Sequence, residues 1–267
     1  MKAPLQLDLF ADRAPADLAT RSAPALRGLS DGEAVAALED AALADARAIA
    51  AEADQRRLAG AVPALASLLR RFAGYGVDRI VPEQEAALDA LASIGGADAA
   101  AAVSQAIRKG FVAGPTLAAA ARAAARLRVA PPPDLLLAWL RHAEPSVRAA
   151  ACVCARPGGE VVATLTSLLA DLDREVAISA ACALGRMGRA EARTALTRAL
   201  AERPSPRVIE AAAGVANEDI VTRLARLGHE RPEFADAVLA ALDELDLPRA
   251  ATVASALRRR LARANES

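Results

Sequence analysis

The sequence predicts an all-α fold in which helical hairpins stack into a solenoid. Three observations predict it. The first is composition. The chain of 267 residues is 54% apolar yet only 2% aromatic, and Ala dominates it. Ala is the strongest helix former, with Leu and Arg close behind. No run alternates Val, Ile, Thr and Tyr at period two, so strands are not supported. The second is a repeat. "ALASIGGADAAAAVSQAI" (Ala90 to Ile107) lies over "ALGRMGRAEARTALTRAL" (Ala183 to Leu200) without a gap. Leu91 falls on Leu184, Ile94 on Met187, Gly95 on Gly188, Val103 on Leu196 and Ile107 on Leu200. The offset is three units of about thirty-one residues, a period that marks repeat architectures. The third is a landmark. "EPSVRAAACVCA" (Glu144 to Ala155), "DREVAISAACALG" (Asp173 to Gly185) and "SPRVIEAAAGVA" (Ser205 to Ala216) each open on an acidic or Ser/Pro turn, then give Val and a run of Ala. Such turns suit a helix N-terminus.

The elements follow in order. Residues 1–28 read as a flexible arm, broken by Pro and Ala. Residues 29–76 hold "LSDGEAVAAL" and "AGAVPALASLLRRF", two or three helices that cap the apolar end of a stack. Residues 77–263 are the repeats, each a helix, a tight turn and a second helix. The second helix carries Leu at i, i+3, i+4 and i+7, as in "ATLTSLLADL" from Ala163 to Leu172. In a looser unit, Leu127, Leu136 and Leu140 take the places of Met187, Leu196 and Leu200. One hairpin cannot bury its apolar face alone, whereas stacked neighbours make a continuous core. The helix from Pro248 to Arg263 closes the far end, and residues 264–267 are a tail. Its Arg258, Arg259, Arg260 and Arg263 sit near the C-terminus, where the helix dipole favours positive charge.

The turn-Val-Arg-x-x-Ala-Ala element, seen best in Pro145 to Ala150, resembles the short HEAT repeats, in particular the bacterial variety similar to that of phycobilin lyases. The resemblance covers roughly Val77 to Arg263. It implies a right-handed α-solenoid of about six HEAT-like hairpins, with Asp–Arg pairs laddered along an inner seam. Arg148 keeps the Arg that follows Val, whereas Ala177 and Ile209 replace it in the next two units.

The search for chemistry yields little. Thirty-three basic and thirty-three acidic residues leave a net charge of zero, so no uniform field draws nucleic acid or anionic lipid. A local stripe is a separate matter. Arg186, Arg189 and Arg193, with Arg258, Arg259 and Arg260, are the candidates for phosphate contacts. Cys152, Cys154 and Cys182 form no CxxC pair. The first two stand about 200° apart on a helix, so they read as small buried hydrophobes. His229 precedes Glu230 in "GHERPE", a pairing shared with the HEAT-like deoxyhypusine hydroxylases, which need several such pairs to hold two irons. His142 stands at a helix end. No metal or other cofactor is expected. There is no HExxH, Walker loop or GxSxG. The HEAT-like alkylpurine DNA glycosylases use aromatic walls, but Trp139 and Tyr75 are scattered here, and Trp139 reads as core. The expectation is a protein that is not an enzyme. With neither a signal peptide nor a long apolar run, it is expected in the cytoplasm.

One short stretch is more specific than the fold. Gln6-Leu7-Asp8-Leu9-Phe10 resembles the pentapeptide by which bacterial replication and repair proteins dock on the DNA polymerase sliding clamp. At ordinary residue frequencies a chance match in a chain this long is on the order of one in a thousand. The resemblance implies that Gln6 hydrogen-bonds in one subsite while Leu9 and Phe10 fill an apolar pocket. Leu7 and Asp8 would support the extended backbone. The other reading of these residues is an apolar strip that folds back onto the N-terminal cap. The function expected is a non-catalytic adaptor in replication, repair or DNA-linked defence, its concave face holding a further protein or DNA. A protein-binding assembly or maturation factor without DNA is the alternative, and a HEAT-like DNA repair enzyme the weaker one.

Overall fold

The computed structural model describes residues 30–40 and 43–265. Among these, fifteen α-helices and no strand occur. They are α1 (Asp31–Asp40), α2 (Leu43–Arg56), α3 (Val62–Arg71), α4 (Pro82–Ile94), α5 (Gly96–Lys109), α6 (Leu117–Arg126), α7 (Pro133–Leu140), α8 (Pro145–Cys154), α9 (Gly159–Leu168), α10 (Arg174–Arg186), α11 (Arg193–Glu202), α12 (Pro206–Ala213), α13 (Glu218–Glu230), α14 (Ala235–Asp243) and α15 (Pro248–Asn265).

The local sequence explains where the helices begin and end. Ser30 and Glu33 form a reciprocal capping box at the start of α1. Pro145 and Pro206 open α8 and α12, where a missing N–H leaves nothing unpaired. The Asp173 carboxylate caps α10 by accepting from the N–H groups of Glu175 and Val176. Of the three aligned turns, only this one uses its side chain as a cap. The glycines paired across the repeat also do the same work. Gly95 (φ 73°) and Gly188 (φ 69°) both turn the chain in the left-handed region at the end of their helix. Arg128 stands where the intermediate unit should have that glycine, and it takes φ 57° despite its Cβ.

The helices form two layers. In one, each even-numbered helix packs on the next, from α2 through α14. In the other, α1 packs on α3, α3 on α5, α7 on α9, α11 on α13 and α13 on α15. Most consecutive helices also pack across the layers, so the hairpins share one core. This is an all-α, HEAT-like solenoid. The layering already includes α1 to α3. The even layer is rich in Ala, and two of its helices touch through bare backbone. A Cβ on Gly185 would come within 2.4 Å of the Ala211 carbonyl oxygen, and one on Gly214 within 2.3 Å of the Gly185 carbonyl oxygen. α10 and α12 therefore meet where neither has a side chain.

The repeat positions land as aligned. Leu91, Leu184, Val103, Leu196, Ile107 and Leu200 are all buried. Trp139 is core as well, and all three cysteines are buried. Desolvation pushes the thiols of Cys152 and Cys154 up to about 12. The periodicity fails at one place. It puts Leu172 on the apolar stripe of the helix that begins the run at Ala163, but α9 ends at Leu168 and Leu172 is wholly exposed. The reason lies in the turn. Asp171 is held by Arg148, and Asp173 caps α10, so the backbone between them turns Leu172 outward.

Candidate partner-binding surfaces

The residues Gln6, Leu7, Asp8, Leu9 and Phe10 lie outside the described residues. The six arginines proposed for phosphate fall into two separate sets. Arg186 ends α10, Arg189 precedes α11 and Arg193 opens it. Arg258, Arg259 and Arg260 are on α15, with α13 standing between α11 and α15 in their layer. Most are already engaged. Arg189 pairs with Glu191 at 3.0 Å, and Arg193 donates to the Val215 carbonyl. Arg258 pairs with Asp243, and Arg260 donates to the His229 carbonyl. Arg186 and Arg259 stand exposed on their helices. The structure thus does not gather the six into one stripe.

The expected Asp–Arg ladder exists in altered form. Arg148 grips Asp171 with two bonds of 2.9 Å, and its remaining nitrogen donates to the carbonyls of His142 and Ala143 at 2.8 Å. The pair is mostly buried, with side chains 15% and 8% exposed. The Arg148 hydrogen bonds hold the Asp171 carboxyl below the usual carboxylate range. Where Ala177 and Ile209 replace the Arg, other residues make the links. Arg174 at the start of α10 pairs with Glu202 at the end of α11, and Arg207 on α12 pairs with Glu175 on α10. The register of the ladder shifts: Arg174–Glu202 joins the two helices of one hairpin, and Arg207–Glu175 joins neighbouring hairpins. Sequence alone could not show this, since the new partners lie about thirty residues apart on different helices.

No group of three metal-ligating side chains converges among the described residues. The His142 ring nitrogen Nδ1 accepts from the Glu144 N–H, so it belongs to a turn. Tyr75 lies at the surface edge-on to Phe72, with ring centroids 6.1 Å apart, while Trp139 is buried in α7. No aromatic-walled site links them. No helix is long and apolar enough to cross a membrane among the described residues.

Two surfaces stand out instead. The first is the loop between α3 and α4, where Tyr75, Val77 and Ile80 are exposed. The loop is anchored from beneath. The Val81 N–H donates to the buried Thr116 hydroxyl at 2.9 Å, and Gly114 packs against the carbonyls of Gly76 and Val77, where any Cβ would collide. The second is a cleft of about 500 Å³ between α10, α11 and the turn that follows α9. It is lined by Leu169 and Leu172 from the turn, Ala177 and Ile178 from α10, and Ala195 and Ala199 from α11. Asp171, Arg174, Arg198 and Glu202 supply its charges. A signal for it was present in the sequence: Leu172 lies between Asp171 and Asp173, an apolar residue set in a charged turn.

The stacked helices define a helical-repeat protein. Within it, residues 133–217 match the family model of HEAT repeats. The matched segment runs from α7 through α12 and contains the cleft. Among solved structures, the X-ray structure of YibA of Escherichia coli is similar to this chain at 16% identity and a TM-score of 0.45. The similarity covers 87% of this chain and 98% of that one. No curated protein matches.

Proposed function

We propose that this protein is a non-catalytic scaffold, recruited to the bacterial sliding clamp through Gln6 to Phe10, while its helical body holds a further protein partner. The observation that carries the recruitment is the full match of QLDLF to the clamp-docking consensus, set ahead of the first described helix. HEAT repeats at residues 133–217 support the scaffold part. Burying Leu7, Leu9 and Phe10 on a clamp would contribute roughly 1.5–3 kcal/mol each. Ordering the segment offsets part of that. The remainder corresponds to a Kd on the order of micromolar, which suits a transient recruit.

The test is capture of the full chain by immobilised clamp. The double substitution Leu9→Ala, Phe10→Ala should abolish capture and leave the melting temperature unchanged. Undiminished capture would end the recruitment reading. A drop of several degrees in melting would show instead that these residues cap the solenoid. The second reading, an assembly factor without DNA, is favoured by the arginines. Four of the six candidate phosphate contacts are engaged within the protein itself. Loss of clamp capture in wild type, with partner binding retained, would select it.

A further inference from the structure

We propose that the cleft formed by α10, α11 and the turn after α9 is a docking site for a partner protein segment that brings apolar side chains and a carboxylate. The proposal rests on the scaffold reading and not on the clamp address. Three observations carry it.

Leu172 is the first. At 104% of its reference exposure, it is covered by no neighbour among the described residues. Yet the turn that holds it is built with unusual care. Arg148 clamps Asp171 on its N-terminal side, Asp173 caps α10 on its C-terminal side, and the Asp173 N–H donates to Asp171 Oδ1 at 2.9 Å. An exposed leucine on a fixed turn presents apolar surface in one place, as an interface anchor does. The second observation is the lining beside it. Small residues, Ala177, Ala195 and Ala199, leave room where a larger side chain would fill the space between the helices.

The third observation is the charge balance, and it selects the occupant. Arg174 is paired with Glu202 and Asp171 with Arg148. The Asp173 carboxylate is taken by two backbone N–H groups. Arg198 is left at the cleft with no carboxylate partner among the described residues. A carboxylate on the occupant is the complement. A second copy of this chain lacks it: around the same face its carboxylates are all engaged, and two Arg198 side chains would oppose each other. An apolar segment with a free Asp or Glu fits better. Residues 5–10 of this chain have that chemistry as well, so the test has to separate them.

The probe is a short fluorescein-labelled synthetic peptide with Leu and Phe side chains around a single Glu. Its twins carry Lys in place of Glu, or Ser in place of Leu. Fluorescence anisotropy against the full chain should show saturable binding of the Glu peptide and weak binding of both twins. Arg198→Glu should weaken the Glu peptide at least about tenfold and strengthen the Lys twin. Leu172→Ser should weaken it by about tenfold or more, the range expected for one buried leucine. Circular dichroism should be unchanged in both variants, since both side chains are exposed. Absence of saturable binding, or binding indifferent to both substitutions, overturns the proposal. A dimer in sedimentation that Leu172→Ser dissolves would assign the cleft to a second copy. A tenfold gain in probe affinity on Asp8→Lys would assign it to the chain's own N-terminal segment. Either result also overturns the proposal. Arg198→Glu should leave clamp capture intact, and Leu9→Ala with Phe10→Ala should leave probe binding intact, so the two readings fail separately.

Discussion

Removing the Arg148 side chain tests the reading of the ladder most directly. Arg148→Ala takes away two bonds to Asp171 and two to the carbonyls of His142 and Ala143. Asp171 is left as a carboxylate 8% exposed, with one N–H donor, that of Asp173. Breaking a buried pair by deleting one partner typically costs about 3–5 kcal/mol, because the remaining charge is uncompensated. In a chain this size that is a fall in Tm of roughly 10 °C. Asp171→Asn keeps the shape and removes the charge, so it should lose less. The sign with pH follows from the lowered carboxyl. Its folded value lies below the unfolded value of about 3.9. The stability it contributes is therefore present above that value and is lost as pH falls through the folded one. Urea unfolding followed by circular dichroism should show the full gap between wild type and Arg148→Ala at pH 7, and a smaller one near pH 3. A loss under about 1 kcal/mol at pH 7, or an equal gap at both pH values, would refute the reasoning.

Other predictions concern the backbone and the thiols. Gly185→Ala drives a methyl into the Ala211 carbonyl, which cannot swing aside, and should destabilise by roughly 1–3 kcal/mol in urea. Gly159→Ala, at a position with open space, should be neutral or slightly stabilising in the same assay. Arg128→Gly relieves a left-handed residue at the place of Gly188 and should stabilise by about 0.5–1 kcal/mol, net of the extra freedom of glycine in the unfolded chain. Native protein at pH 8 should react with a thiol reagent far more slowly than after denaturation. Burial holds Cys152 and Cys154 as thiols until near pH 12, and Cys182 is raised in the same sense. Rapid native labelling would refute that burial.

How far the sequence could be read depended on range. Features set by residues within one helix and its adjoining turn were plain in it. The superposition of Leu91 on Leu184 and of Gly95 on Gly188 gave buried leucines and left-handed glycines at the matched places. Leu172 was misplaced because a helical stripe carries no mark of where its helix stops. Just past that stop Asp171 is held by Arg148, which stands on the other helix of the hairpin, twenty-three residues earlier in the chain. The arginines were harder still. Arg258 reads as free in sequence because Asp243 lies across a turn in another helix, and Arg207 meets Glu175 only after the hairpins have stacked. The cleft has the same origin, since the turn after α9, α10 and α11 form it together and none forms it alone.

The contact of α10 and α12 through Gly185 and Gly214 has a mechanical consequence. Backbone against backbone is a hard stop, with no side chain to compress or rotate. On the opposite layer, α9 and α11 do not pack closely on each other. A bending load on the stack is therefore resisted on one side and yields on the other, so the glycine contact acts as a fulcrum and the far gap sets the curvature. A wedge driven between α9 and α11 would then change the pitch of the whole rod.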